Sequence, residues 1–330
     1  MTWNADWLLV QAFVVVNGFQ TLIPSMISSS LFLPMRLGWK RFFPWAEANS
    51  HRLQCLFIDE AHHVFISASY LSCFKLFHLL TQLKKSITFL TATMPLHSIP
   101  TLCQSMIIDP ALLHIICAPI THPNIKYTVS KVALEHVVHK TIKVFNSICL
   151  EPEEHGIIYM TSIKFMHEVA QLLHIPTYTS CILSDDKENK ERKSHIFQDW
   201  HSGKVHWVAA TICFAEGVDF PSVQYAIIVE PLDILLFLQE SGRLGCDGFY
   251  SEAIMIWSTV PHPTPSDDPD HNGHRPMAHF LKTNTCRHLT FQLFNPDMHS
   301  CTSSSENAIC DRCSNLSKVI RCVVSTSFFA

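Results

Sequence analysis

The feature that most restricts the fold of this chain is an alternation that begins near residue 53, where short apolar runs are separated by longer amphipathic stretches. The runs at 53–58, Ser86–Leu90, 156–160, 205–210 and 225–229 read as buried strands. Between them, residues 70–84 have helical spacing that offers Leu71, Phe74, Phe77, His78 and Leu79 to one broad face, and a second helix runs through Leu173. Strands alternating with helices predict a parallel sheet covered on both faces.

At 330 residues the chain has room for about two domains. The pattern pauses around 118–126, where Pro119, His122, Pro123 and Asn124 read as a linker, and breaks again at the Pro/Asp-rich stretch 261–270. The predicted layout is an unassigned segment over 1–50, a first α/β unit over 51–120, a second over 121–260, and a linker with a small cysteine-bearing module over 261–330. A 48% hydrophobic and 16% charged composition excludes a disordered chain. A formal charge of −4 excludes a globally basic arm while leaving room for a local basic groove. No run reaches the roughly 20 apolar residues of a membrane helix. The apolar stretch at 8–16 is broken by Gln11 and preceded by Asp6 rather than a basic region. The expectation is a soluble intracellular protein without signal peptide or membrane span, nuclear in a eukaryote and otherwise cytoplasmic.

Two segments carry acid and hydroxyl chemistry. The apolar run ending at Ile58 is followed at once by Asp59, Glu60, Ala61 and His62. An Asp at a strand's carboxyl end can hold magnesium, and a neighbouring Glu can orient the attacking water. Some thirty residues later Leu90, Thr91, Ala92 and Thr93 place small hydroxylated residues at another strand end, where they can contact the acid pair and relay its state.

Further along, Gly156-Ile-Ile-Tyr159 opens one segment. Ala210-Thr211-Ile-Cys-Phe214-Ala-Glu-Gly217-Val218-Asp219 forms the next, and Gln239-Glu240-Ser-Gly242-Arg243-Leu-Gly245-Cys246-Asp247-Gly248 the last. With Asp59–His62 and Leu90–Thr93 these resemble, in order and spacing, the second to sixth motifs of the superfamily 2 helicases, and specifically of the RecQ family. The resemblance covers about residues 53–320. It implies two RecA-like parallel-sheet domains, the first incomplete, followed by a small zinc-binding module. It implies ATP bound between the domains with magnesium, and single-stranded or partly unwound DNA as the partner. Asp59, Glu60, His62 and Arg243 would then be catalytic, Arg243 as a phosphate-sensing arginine. Thr91, Thr93, Thr211, Asp219 and Gln239 would couple DNA contact to the nucleotide cleft.

Thirteen cysteines are spread along the chain, most of them singly in apolar segments, which reads as buried free thiols in a reducing compartment. Cys286-x14-Cys301-x8-Cys310-x2-Cys313 is different. Four thiolates closing a tetrahedral site are structural zinc chemistry; free structural thiols and redox use are the other readings. Cys286-Arg287 and Cys310-Asp311-Arg-Cys313 are similar to the RecQ zinc module. The gap before Cys310 is longer than the family's, so His299 is an alternative to Cys301 as ligand.

The sequence also departs from that family. It contains no Gly-x-x-x-x-Gly-Lys-Ser/Thr; Gly203-Lys204 is followed by Val205. Only 58 residues precede Asp59, and residues 1–50 do not resemble the family's nucleotide-binding start, so an amino-terminal truncation is expected. Cys246 stands for the sixth motif's second arginine, Leu71 for an arginine after the acid pair, and His288 for an arginine of the zinc module. Histidine outnumbers arginine 21 to 9, consistent with a copy decaying by cytosine deamination or with compositional preference. The expected activity is ATP-dependent 3′–5′ DNA unwinding by descent, impaired by loss of the phosphate-binding loop. The alternative is a non-catalytic DNA-binding remnant or adaptor.

Overall fold

The computed structural model describes residues 10–14, 39–66, 74–117, 122–179, 186–211, 214, 223–258, 270–294, 296, 298–304 and 307–314. The chain divides into two compact units, one of Met1–Ile120 with Leu293–Asp297 and one of Thr121–Gln292 with Met298–Ala330. The cysteine-bearing segment is therefore part of the second unit rather than a separate body.

The first unit comprises β1 (Val10–Val14), α1 (Trp39–Ala48), β2 (Cys55–Ile58), α2 (His63–Ile66), β3 (Ser86–Leu90), α3 (Ile99–Met106) and β4 (Leu113–Cys117). Its sheet has the order β2-β3-β1-β4, and every pairing is parallel. β1 comes from the segment that sequence left unassigned, and it sits between β3 and β4. β2 is an edge strand in which only Ile58 is buried, whereas Ile87, Thr88 and Phe89 of β3 are all buried. The core gathers Ile58, Ala61, Val64, Leu80, Ile87, Phe89, Leu102 and Met106. The helix expected over 70–84 is described from Phe74 to Leu83, where it is a 3-10 helix rather than an α-helix. Leu71 lies outside the described residues.

The second unit comprises β5 (Ile125–Lys131), α4 (Val137–Phe145), β6 (His155–Met160), α5 (Ile163–Leu173), β7 (Thr177–Tyr178), α6 (Asp186–His201), β8 (Trp207–Ala210), β9 (Val223–Val229), α7 (Ile234–Ser241), β10 (Ser251–Trp257) and α8 (His274–Lys282). Its six strands take the order β5-β10-β9-β6-β8-β7, all parallel. β6, β8 and β9 are nearly continuous apolar runs because a parallel sheet buries both faces. Gly156 lies against the Trp207 ring so closely that a Cβ there would sit 2.4 Å from it, so only glycine fits. Ile158, Met166, Val169, Ala209, Ile227 and Ile256 belong to one core. A second, aromatic cluster joins Tyr127, Phe237, Phe280 and Phe291, and it reaches the cysteine-bearing segment through His288.

Candidate functional site

In the first unit the acid pair sits where β2 ends. The chain turns immediately, and Glu60 takes a φ of 49°, a left-handed conformation that costs a side-chain-bearing residue roughly 1–2 kcal/mol. Two bonds offset this. The Glu60 N–H donates to Asp59 Oδ1 at 2.9 Å, and the Ala61 N–H donates to the Leu90 carbonyl at 2.9 Å, tying the turn to the end of β3. The turn drops His62 into the interior, where its Nδ1 lies 3.1 Å from Thr91 Oγ1 and 3.3 Å from Glu60 Oε2. Burial, with His63 beside it, lowers the His62 pKa to about 3. The imidazole is therefore neutral at physiological pH, and its 3.3 Å approach to Glu60 is a polar contact rather than an ion pair. A carboxylate can only accept, so the Nδ1–H tautomer fits both neighbours. The Thr93 N–H in turn donates to Thr91 Oγ1 at 3.3 Å.

The result is a run of polar contacts, Glu60–His62–Thr91–Thr93, hydrogen-bonded from His62 onward. Asp59 is exposed and the Glu60 side chain half-exposed, while His62, Thr91 and Thr93 are buried behind them. Such an arrangement can hold a cation and a water at the carboxylates and transmit their state to the β3 end. The structure thus brings together all five first-unit residues singled out from sequence.

In the second unit, Thr211 follows β8 directly, and its N–H donates to the Tyr178 carbonyl at 3.2 Å. Gln239 lies on α7 and Arg243 one turn later, both partly exposed. Asp219 lies outside the described residues. The α7 start is fixed by Asp233, whose carboxylate accepts the Leu236 N–H at 2.8 Å. Burial raises Asp233 to about 6. Glu240, next to Gln239, is buried, and burial together with the Asp233 charge raises it to about 8. Its carboxyl is thus protonated at neutral pH.

The loop after Arg243 depends on Asn124, a residue that sequence reads as linker. Asn124 Nδ2 donates to the carbonyls of Gly245 at 2.8 Å and Phe249 at 2.7 Å. Gly245 has a φ of 60°, and a Cβ there would lie 2.2 Å from Asn124 Nδ2. Gln224 Nε2 donates to Asp247 Oδ2 at 2.8 Å. Cys246 is exposed, and its thiol contacts the Gly242 and Arg243 carbonyls at 3.7 and 3.8 Å. The signal that could have found Asn124 is its position directly ahead of a strand, where a side-chain amide can cap two carbonyls.

The cysteine group is buried. The ligand atoms of Cys286, His288, Cys301 and Cys310 all lie within 4.8 Å of one another. Cys301, rather than the exposed His299, joins the set. Cys313, the fourth thiolate expected from sequence, is buried beside them and hydrogen-bonds with the Cys301 and Cys310 thiols, while His288 adds a nitrogen donor to the group. The short 3-10 helix Arg287–Leu293 carries His288 inward, and Tyr127 packs edge-on to its ring at 5.1 Å. Hydrogen bonding between the sulfurs lowers the Cys286 pKa and raises that of Cys301.

Arg287, wholly buried, pairs with Asp311 through Nε–Oδ1 at 2.6 Å and Nη2–Oδ2 at 2.8 Å, and also donates to the Phe280 carbonyl. Asp311 Oδ2 accepts the Val129 N–H at 3.3 Å as well. One ion pair thus joins the two cysteine-bearing loops to each other and to β5.

A sequence profile of the helicase conserved C-terminal domain matches residues 138–248. The ATP-dependent DNA helicase Q-like 2 of Arabidopsis thaliana is 26% identical over 306 residues, which are 85% of this chain and 41% of that protein. The ATP-dependent DNA helicase RecQ of Haemophilus influenzae is 24% identical over 189 residues, 54% of this chain and 30% of that one. The chain therefore spans less than half the length of these relatives. Among solved structures, S. cerevisiae Dbp5 bound to RNA and ADP BeF3 is similar at a TM-score of 0.52 and 10% identity, covering 96% of this chain and 74% of that one. That likeness speaks to the fold alone. The sheets, the matched domain and the structural neighbour define the class: an α/β protein of the RecA-like helicase fold. The relatives narrow the likeness further, to DNA helicases of the RecQ type.

Proposed function

We propose that this chain is a RecQ-type ATP-dependent DNA helicase of 3′–5′ polarity by descent, and that these 330 residues on their own bind single-stranded or partly unwound DNA while hydrolysing ATP poorly. The observation that carries the reading is the chain Glu60–His62–Thr91–Thr93, which joins an exposed acid pair to a second strand end. Asp59 would hold magnesium, which supplies charge neutralisation at the phosphates, and Glu60 would orient the water. His62, neutral and buried, holds the Glu60 carboxylate in place from behind. In the second unit Arg243 would meet the developing phosphoryl charge, with Gln239, Thr211 and Asp219 coupling nucleotide state to DNA.

The poor hydrolysis follows from two features. A triphosphate needs a backbone cradle and a lysine, and no Gly-x-x-x-x-Gly-Lys-Ser/Thr occurs in these residues. Cys246 offers a thiol where a second arginine would add positive charge. The exposed Cys246 thiol is also the observation that favours a non-catalytic, DNA-binding adaptor. The cysteine cluster fits structural zinc, since its donors are buried thiols and an imidazole at ligand spacing. Zinc there would cross-link the two loops, with Cys286, Cys301 and Cys310 among its ligands.

The test is ATP hydrolysis and fluorescence-anisotropy binding, with and without single-stranded DNA, across a salt series. Expected are binding that weakens steeply with salt and turnover that DNA does not raise. Turnover that rises with DNA and vanishes in Glu60→Gln would overturn the impairment. Absence of salt-sensitive binding would overturn the nucleic-acid reading.

A further inference from the structure

We infer that the loop between α7 and β10 is a docking surface for an arginine-rich segment of a partner protein, with Phe249 and Tyr250 as its stacking platform and neighbouring carboxylates as counter-charges. Two consecutive aromatics stand in solvent here: Phe249 is 70% exposed and Tyr250 51%. Aromatic side chains are enriched where proteins meet one another. The loop is built to hold them out. Asn124 Nδ2 clamps the Gly245 and Phe249 carbonyls, Asp247 Oδ1 accepts the Phe249 N–H at 3.0 Å, and Ser251 Oγ donates to the Phe249 carbonyl at 3.2 Å. A partner that stacks there has little of the loop left to order, which lowers the cost of binding. The loop enters β10 at its amino end, whereas Thr211 leaves β8 at its carboxyl end, and the strands are all parallel. The aromatic pair and Thr211 thus lie at opposite ends of the sheet.

The surrounding charge selects the partner. Lys126, Glu252 and Tyr225 form one cross-strand row over β5, β10 and β9. Lys126 pairs with Glu252 at 3.0 Å and hydrogen-bonds with the Tyr250 side chain, so the charges of Lys126 and Glu252 offset each other. Two carboxylates are left over. Asp247 accepts from the Gln224 side-chain amide and the Phe249 N–H. Glu154, in electrostatic range of Tyr225, accepts from the Glu151 N–H. Those donors are all uncharged. The groups beside the aromatic pair are therefore net acidic, which disfavours a phosphate backbone and favours a cation. Arginine suits both parts of the surface. Its planar guanidinium stacks on an aromatic face and offers two N–H groups to a carboxylate. A lysine ammonium, compact and strongly hydrated, suits it less.

The test titrates the full chain into a fluorescein-labelled hexa-arginine peptide and follows anisotropy, with hexa-lysine, hexa-glutamate and single-stranded oligo-dT as parallel probes. Hexa-arginine should bind more tightly than hexa-lysine, and hexa-glutamate should not bind. The double variant Phe249→Ser/Tyr250→Ser should lose about tenfold or more in hexa-arginine affinity and keep its affinity for oligo-dT. Phe249→Ser alone, at the more exposed position, should show part of that loss, and it decides the matter if the double variant fails to fold. Asp247→Asn should flatten the salt dependence of peptide binding. Equal hexa-arginine affinity in the unmodified chain and the aromatic variants, equal binding of the arginine and lysine peptides, or an unchanged salt slope in Asp247→Asn would overturn the assignment. Loss of oligo-dT binding in the aromatic variants would overturn it in favour of a nucleic-acid surface.

Discussion

Removing the carboxylate of Asp311 tests how the cysteine-bearing loops are held to the second unit. In Asp311→Ala the fully buried Arg287 loses its contacts at 2.6 and 2.8 Å, and the Val129 N–H loses its acceptor. Asp311 is only 17% exposed, so water cannot fully replace it. Breaking one side of a buried pair strands the other charge and costs about 3–5 kcal/mol. For a unit of this size each kcal/mol moves the melting temperature by about 2–4 °C, so the transition should fall by about 6–20 °C. The assay is urea unfolding followed by tryptophan fluorescence, to which Trp200, Trp207 and Trp257, all buried in the second unit, contribute. The unfolding midpoint should drop with little change in slope. The double variant Arg287→Met/Asp311→Leu removes both charges while keeping volume, and should recover most of the loss. If Asp311→Ala costs less than about 1 kcal/mol, or the double variant is no more stable than the single one, then the pair does not clamp the loops.

Three further outcomes are expected. Glu240 has a folded-state pKa of about 8 against an ordinary value of 4.5, so its contribution to stability is full below pH 4.5 and is lost as pH rises through 8. Glu240→Gln cannot ionise and should gain on the unmodified chain between pH 5 and 9, by an amount on the order of a few kcal/mol; parallel stability curves would refute this. Gly245→Ala should cost about 1–3 kcal/mol, because the new Cβ strikes Asn124 and the backbone is left-handed. Combined with Asn124→Ala the costs should be less than additive, and full additivity in a thermal-melt cycle would mean that the two do not share one clamp. Thr91→Val should destabilise the first unit by about 1–3 kcal/mol, since it removes the buried acceptor of the Thr93 N–H. Thr91→Ser should restore it, and equal stability of the Val and Ser variants by calorimetry would rule that bond out as a contributor.

The chemistry of the chain was more readable than its architecture. β3 and the end of α5 fall where their apolar periods put them, because local pattern decides a central parallel strand and an amphipathic helix. Asp59, Glu60, His62, Thr91 and Thr93 converge because two strand ends in one parallel sheet must come out on the same side. β1 escaped because its placement depends on partners far away in sequence, Ile87–Leu90 and Leu113–Cys117. β5 escaped because Ile125–Lys131 is an edge strand with polar residues interleaved, and it begins directly after residues read as a linker. Asn124 was hidden for a similar reason, since its partners lie more than a hundred positions downstream. In the cysteine cluster, spacing pointed to the four thiols, while the packing of Tyr127 that turns His288 toward them has no signature in spacing.

The strand order of the second unit has a consequence for how the chain matures. β5 is the first described strand of that unit to be synthesised, yet its sheet neighbour among the described residues is β10, and Thr128 and Glu252, hydrogen-bonded across that pairing, are 124 positions apart. At about 5–20 residues per second on the ribosome, β5 must wait roughly 6–25 s for its partner to emerge. The cysteine loops follow later still, and Asp311 closes onto the Val129 N–H of the same strand. A later-made segment thus locks an earlier one, so the second unit closes only once the residues around Asp311 have emerged.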